Sequence, residues 1–554
     1  MVPRRSTVPA PRPGASLLVV IGAGAVVLGC SSSNSASSGD GGSGGAGAGG
    51  NAANGATNGN GGSTASSGGK SGAAGGATNG AGGDGAGGNG GASAGGTTSS
   101  GGATASGGTT ATGGTTGTGG TTGTGGTTGS GGASTGGAGG TSGKGVLANR
   151  VTDFLGSIGA CTHIGQGVDD AAKSATALAY AGILGIRDDG RPAHVQDWIT
   201  VHQNSGARLS LLTDQNVAST IAMAETLNAA GALLAVEGPN EPNNFSVTYE
   251  NATSNGTTFV PVAHLQRDLY AAVKADAKLK GIPVFHASEA GGSEPDNVGL
   301  QFLTIPSGAG TTMPEGTKYA DYANTHNYVS GHNSTLDGNT AWNAEDPTLN
   351  ADWDGLFVEY GTTWNKKFKG YSSADLMTLP RVTTETGWPT MGDHALTEEQ
   401  QGRLFLNLYL SAYKRGWSYT FVYMLRDDPG QGYWGFFDTS YAAKKSGTYL
   451  HNLTTILADK GTATTSRLDY TVPNEPATVH DLLLQKSNGA FELAIWNDRP
   501  SGGSDAVTVR FASAQKSVLV YDPTTGTAST ETHANADSVA LTLSDHPVVV
   551  EVTP

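Results

Sequence analysis

Cysteine is nearly absent: two residues in 554, Cys30 and Cys161, so no disulfide framework can organise this chain and any fold must rest on packing. Cys161 lies in an apolar stretch and reads as a small core residue. Charge is also sparse. Only 14% of residues are Asp, Glu, Lys or Arg, and the 31 basic against 46 acidic residues leave a formal charge of −15. The basic residues are scattered rather than clustered, which removes nucleic acid as a partner and leaves neutral polymers or small molecules. From Ser31 to Lys144 there is no aromatic residue and no Val, Ile or Leu, only Gly, Ala, Ser, Thr and Asn with two Asp and two Lys. Such a segment cannot bury enough apolar surface to offset the entropy of ordering it, and it is expected to be a disordered tether. A Gly-rich coil of that length spans on the order of 60 Å.

What precedes the tether reads as an address. Arg4, Arg5 and Arg12 lead into an apolar stretch from Ala15 to Leu28, too short to be read first as a spanning helix. It closes in Val27-Leu28-Gly29-Cys30, which resembles a bacterial lipobox whose cysteine carries the lipid. The expectation is an exported lipoprotein, anchored at Cys30 to the outer membrane or cell surface; an ordinary secretory signal is the alternative. Lipidation of Cys30 would leave Cys161 without a disulfide partner.

From Phe154 onward, apolar runs of strand length alternate with stretches of helical period. Strands are predicted at 155–163, 182–188, 207–213, 232–238, 283–288, 319–327, 380–385 and 417–425. Helices are predicted near 171–181, 192–204, 217–230, 261–279, 297–304, 356–368, 397–415 and 447–458. Eight of each in alternation is the count of a (β/α)8 TIM barrel. An open doubly wound sheet is the rival, but no Gly-rich phosphate fingerprint follows the first strand. After Asp459 the pattern turns to short alternating strands at 480–486, 490–496, 505–511, 516–521, 538–543 and 547–552, a small α-free unit expected to be a β-sandwich. The resulting division is 1–30 signal, 31–144 tether, 145–460 barrel and 461–554 sandwich, the last serving as a buttress or as a carbohydrate-binding module.

Barrel chemistry collects at the C-terminal ends of the strands, and here those ends are rich in polar groups. Glu241 stands in Val236-Glu-Gly-Pro-Asn-Glu-Pro242 after strand four, and Glu385 in Val382-Thr-Thr-Glu-Thr-Gly-Trp388 on strand seven. Strand two ends in Arg187-Asp188-Asp189, strand six in His326-Asn-Tyr328, and strand eight in Arg426-Asp427. Two carboxylates delivered by two strand ends are what glycosidic cleavage requires, one to protonate the leaving oxygen and one to attack or to activate water. A carboxylate after Val-Thr-Thr on an interior strand is costly to bury without purpose or partner. Arg187 and the Tyr328 hydroxyl would stabilise an ionised Glu385, and Asn240 is placed to hydrogen-bond a sugar hydroxyl. Glu237, earlier on strand four, is expected to pair with a basic residue inside the barrel. For stacking on sugar rings, Trp388 and Trp434 are the preferred platforms, with Trp342, Trp353, Trp364, Tyr423, Tyr433 and Phe436 nearby in sequence or in predicted loops.

In strand order these residues resemble clan A of the retaining glycoside hydrolases. The resemblance covers roughly 150–460 and implies Glu241 as acid/base, Glu385 as nucleophile, and Arg187, Asn240, His326 and Tyr328 as substrate-binding or supporting residues. Glu385-Thr-Gly-Trp-Pro389 is similar to the nucleophile segment of family 17, while the layout with a C-terminal sandwich is similar to families 30 and 39. Clan members often end strand eight in tryptophan; this strand reads Phe421-Val-Tyr-Met-Leu-Arg426. The expected activity is hydrolysis of a cell-wall-type polysaccharide, β-glucan first, then xylan or another β-glycan, by a monomer without cofactor or metal. The long loop from Gly331 to Asp354 would wall an open cleft and favour endo action. A transglycosylase of the same fold and a non-catalytic carbohydrate-binding lipoprotein are the alternatives.

Overall fold

The computed structural model describes residues 144–242, 245–254, 260–290, 318–326, 328–329, 379–392, 395–462, 464–499 and 502–554. The signal with Cys30, the tether up to residue 143, the helices expected at 297–304 and 356–368, the loop 331–354 and Trp342, Trp353 and Trp364 lie outside the described residues.

Eight parallel strands are found among the described residues: β1 Ile158–Cys161, β2 Gly185–Asp189, β3 Arg208–Leu212, β4 Leu233–Glu237, β5 Val284–Phe285 continued by Glu289–Ala290, β6 Ala323–His326, β7 Arg381–Thr386 and β8 Trp417–Val422. They pair in the order β6-β7-β8-β1-β2-β3-β4-β5. The second piece of β5 pairs with β6, and Phe285 bridges Tyr322. The two ends of the sheet therefore meet, and the sheet is a barrel. Helices Ala171–Ala181, Val195–Ser205, Val217–Ala229, Val260–Ala275, Glu398–Lys414 and Lys445–Ile456 follow β1, β2, β3, β4, β7 and β8.

Local sequence explains these boundaries. Asp170 caps its helix by accepting from the Lys173 amide, Gly182 ends it in the left-handed region, and Thr397 with Gln400 forms a capping box. One expectation fails at the first strand: 151–156 is helix, and β1 begins only at Ile158. The spacing of Val151, Phe154 and Leu155 sets three apolar side chains on one helical face, and Phe154 packs edge-on to Tyr413 with ring centroids 5.4 Å apart.

The C-terminal strands are β9 Val479–Gln485, β10 Phe491–Asn497, β11 Asp505–Tyr521, β12 Ser529–Leu543 and β13 Val548–Thr553. The runs expected at 505–511 and 516–521 are one strand, its register shifted between Arg510 and Gln515. Leu483, Leu493, Ile495 and Val552 pack with Val507, Val509, Phe511 and Leu541 in one core. Strand alternation turns the other set, Leu482, Leu484, Ala494, Trp496 and Val549, into the barrel's own core cluster. Arg403 reinforces the junction with Asp545 (2.8 Å), as does Lys414 with Asp481 (2.6 Å). Residues 146–150, placed by sequence in the barrel segment, instead belong to this region. Asn149–Arg150 pairs with β9, and Val146–Leu147 pairs with Arg467–Leu468.

Candidate active site

Four strands aim side chains at one point in the barrel mouth. From β2, Arg187 is fully buried, while Asp188 alternates to the other face. Asp188 there accepts from Thr162 (2.7 Å), the Ile164 amide (2.8 Å) and Trp198 (3.3 Å), and burial pushes its carboxyl up to about 8. It organises the loop after β1. Asp189, paired with Arg191 at 3.6 Å, and Arg426 and Asp427, paired with Asp169 (2.7 Å) and Lys444 (3.0 Å), tie the rim together.

β4 delivers Glu237 from within the strand and Asn240 and Glu241 from the turn beyond it. Gly238 makes that turn possible: a Cβ there would lie 1.8 Å from Gln266 Oε1 and 2.7 Å from the Ala287 amide. Glu241 itself has φ +36°, a left-handed conformation that a glutamate adopts only when its surroundings hold it there, and its amide donates to Ser288 Oγ at 3.3 Å.

β7 has its own device. Between Thr383 and Thr386 it advances one residue more than β8 beside it, a bulge that breaks strict alternation. Two consecutive side chains, Thr384 and Glu385, consequently both reach barrel-interior partners.

Arg187 is the hub. Its Nη1 donates to Glu385 Oε1 (2.5 Å), its Nη2 to Glu237 Oε1 (3.0 Å) and Asn240 Oδ1 (2.6 Å), and its Nε to both Glu237 oxygens (3.1 and 3.2 Å). The sequence expectation that Glu237 pairs with a base inside the barrel is met by this contact. Tyr328, partly buried after β6, donates to the other Glu385 oxygen, Oε2, at 2.7 Å. Burial, helped by Glu385, raises the Tyr328 hydroxyl well above its ordinary value, so it remains a proton donor. Between the two catalytic candidates stands His326: Nδ1 lies 2.7 Å from Glu241 Oε1 and 3.6 Å from Glu385 Oε2. One atom each of Glu241, His326 and Glu385 lies within 4.8 Å of the others. These oxygens already share hydrogen bonds with Arg187, Tyr328 and the imidazole, an arrangement suited to moving protons and charge rather than to gripping a cation. Burial pushes His326 down to about 4, so the ring is neutral near pH 7. Burial likewise raises Glu385, against the pull of Arg187 and the Tyr328 hydrogen bond.

The two tryptophans part company. Trp434 sits in the interior cluster, edge-on to Tyr328 (5.6 Å between centroids) and to Tyr423 (6.0 Å). It thus reaches the site from the loop after β8, where the strand itself offers tyrosine. Trp388 does not join it. It is 2% exposed in the barrel's core cluster, its carbonyl accepting from Gln401 at 2.8 Å, so the expected second platform is a core residue. Cys161 is buried, as expected, with its thiol on the Thr384 carbonyl (3.2 Å). Thr384, Asn324 and Ser210, which the sequence does not single out, complete the polar interior around Glu237.

No protein-family model matches the chain, and no curated protein matches it. Among solved structures, it is similar to CelM2, a bifunctional glucanase-xylanase protein from a metagenome library, at 12% identity over 75% of this chain and 100% of that one, with a TM-score of 0.47. It is also similar to Xyn30A, a glycoside hydrolase family 30 subfamily 8 xylanase from Clostridium acetobutylicum (13% identity, 74% and 97% coverage, TM-score 0.41), and to the GH39 enzyme from Xanthomonas axonopodis pv. citri (12% identity, 74% and 98% coverage, TM-score 0.41).

Proposed function

We propose that this chain is a retaining β-glycoside hydrolase of the clan A type, with Glu385 as nucleophile and Glu241 as acid/base. The observation that carries the reading is the approach of one oxygen of each carboxylate to within 4.8 Å of the other. Retaining enzymes hold their carboxyl groups about 5–5.5 Å apart, whereas inverting enzymes leave about 6.5–9.5 Å for a water. Glu385 Oε2 attacks the anomeric carbon once the Tyr328 hydroxyl lets go of it, and Arg187 keeps Oε1. As the glycosidic bond breaks, the leaving oxygen takes the proton of Glu241. In the second half, Glu241 takes a proton from water, the resulting hydroxide displaces Glu385, and the sugar leaves with its configuration kept. Asn240 orients the sugar through its amide, its carbonyl being held by Arg187, and Trp434 supplies the apolar face. No step calls for a metal or cofactor.

The substrate class we propose is a cell-wall-type polysaccharide, β-glucan before xylan or another β-glycan, and the proposed location is the outer membrane or cell surface, by lipid on Cys30 and the tether at 31–144. A polysaccharide panel read for product length and anomeric configuration tests both substrate and stereochemistry; inverted products refute the mechanism. Glu241→Ala is expected to keep the first step on a dinitrophenyl β-glycoside, whose leaving group needs no acid, to stall afterwards, and to recover turnover with azide as a β-glycosyl azide. Absence of that product contradicts the acid/base role.

The pH profile has a definite sign. Glu385 must be ionised to attack, so activity is present above its pKa and lost as pH falls through it. Because burial raises that pKa, the acid limb of kcat/KM is expected above the ordinary glutamate value of about 4.3. An acid limb at or below that value is the contrary result.

A further inference from the structure

Thr384 has one proton to give and two lone pairs to fill. Its Oγ1 lies 2.9 Å from Glu237 Oε1, 3.0 Å from His326 Nε2 and 3.0 Å from Asn324 Nδ2. Asn324 Nδ2 can only donate, and it also donates to the His286 carbonyl (3.1 Å). Glu237, ion-paired with Arg187, can only accept. The Asn324 carbonyl, 3.1 Å away, competes for the hydroxyl proton but is neutral and farther. The Thr384 proton therefore goes to Glu237, and its lone pairs are left for two donors. His326 must then carry its hydrogen on Nε2. A neutral imidazole has a single N–H, so Nδ1 is a bare lone pair, and it stands 2.7 Å from Glu241 Oε1. A carboxylate oxygen facing a lone pair at that distance is repelled. The contact is attractive only with a proton on Glu241.

We propose that Thr384 and Glu237, by fixing the tautomer of His326, keep Glu241 protonated in the resting enzyme. Thr384 and His326 are thereby positioning residues for the general acid. The inference deepens the proposed function and rests on Glu241 being its acid. The competing state, an imidazolium against an ionised Glu241, is disfavoured by burial, which keeps the ring neutral. Among the described residues, the charged and titratable groups around His326 are Glu241 and Glu385 at Nδ1, Glu237 and Arg187 behind Thr384, and Tyr328 on the far side of Glu385. After the first step, the bare Nδ1 favours return of a proton from the attacking water to Glu241.

Long-range 1H–15N NMR of the full chain with labelled histidine reads the tautomer without reference to activity, His326 being assigned by its loss in His326→Gln. A neutral Nε2–H ring near pH 7 is expected; an Nδ1–H ring or an imidazolium overturns the proposal. In kinetics, Thr384→Val is expected to lower kcat/KM on unactivated β-glycosides about tenfold more than on a dinitrophenyl β-glycoside and to bring the basic limb to lower pH, with Thr384→Ser restoring both. Equal loss on the two substrates with an unmoved basic limb also overturns it. A wild-type protein that cleaves neither substrate refutes the glycosidase reading instead, and the NMR result still decides the tautomer.

Discussion

Glu385→Gln is expected to reduce turnover of an aryl β-glycoside by roughly 10^4-fold or more, the scale seen when a covalent nucleophile is removed. The amide nearly preserves the shape of the carboxylate but loses both the nucleophilic anion and the charge that Arg187 Nη1 meets at Oε1. Its NH2 would face either that guanidinium or the Tyr328 hydroxyl, a donor against a donor in one orientation and a weakened contact in the other. Because Glu237 still neutralises Arg187, the fold should survive, and the loss should fall on chemistry. Mass spectrometry after incubation with a fluorinated aryl glycoside should find a glycosyl adduct on wild type and none on the variant. Undiminished hydrolysis by the variant would falsify Glu385 as nucleophile, whatever the behaviour of Glu241→Ala.

The second large effect is on stability. Arg187 is fully buried and binds Glu237, Glu385 and Asn240 together. Arg187→Met leaves two buried carboxylates without their cation, and breaking a buried pair in this way costs about 3–5 kcal/mol. The deficit, measured by denaturant unfolding, should shrink as pH falls, since protonating Glu385, whose pKa burial already raises, removes uncompensated charge. Lysine is expected to rescue little: a single ammonium cannot reproduce a guanidinium that spans three partners in fixed directions. A change within about 1 kcal/mol, the range of an exposed pair, would show that the hub is not what holds the barrel interior together.

The barrel could be read from the chain because strand-length segments, most with apolar runs, alternate with helical periodicity, and the strand order places Arg187, Glu241, His326, Tyr328 and Glu385 at one mouth. For Trp388, three residues from Glu385 in sequence, closeness along the chain does not carry over into space. Gly387, with φ +151° and a missing Cβ that would lie 2.7 Å from the Tyr423 carbonyl, turns the chain directly after Thr386, and Trp388 falls in a different buried cluster from Trp434. Thr384 was hidden for another reason. Strict alternation puts it on the opposite face from Glu385, and only the bulge in β7 brings both to the interior. Asn324 and Ser210 are common residues whose significance lies wholly in what they touch. The short pairing of Asn149–Arg150 with β9 carries no periodicity at all.

That last pairing bears on how the chain reaches its native state. Gly145 accepts a hydrogen bond from Arg467, 322 residues later, and the neighbouring strands close over the same span. In the unfolded chain, bringing the ends of so long a loop together costs on the order of 5 kcal/mol of chain entropy, and the pairing of β8 with β1 closes most of that span first. These ladders should therefore be among the last to form, and such high contact order predicts slow, late completion of folding. Until then Leu482, Leu484 and Trp496, the side chains that cover the barrel from β9 and β10, leave its flank open to water, and it is in this interval that the protein is most exposed to aggregation.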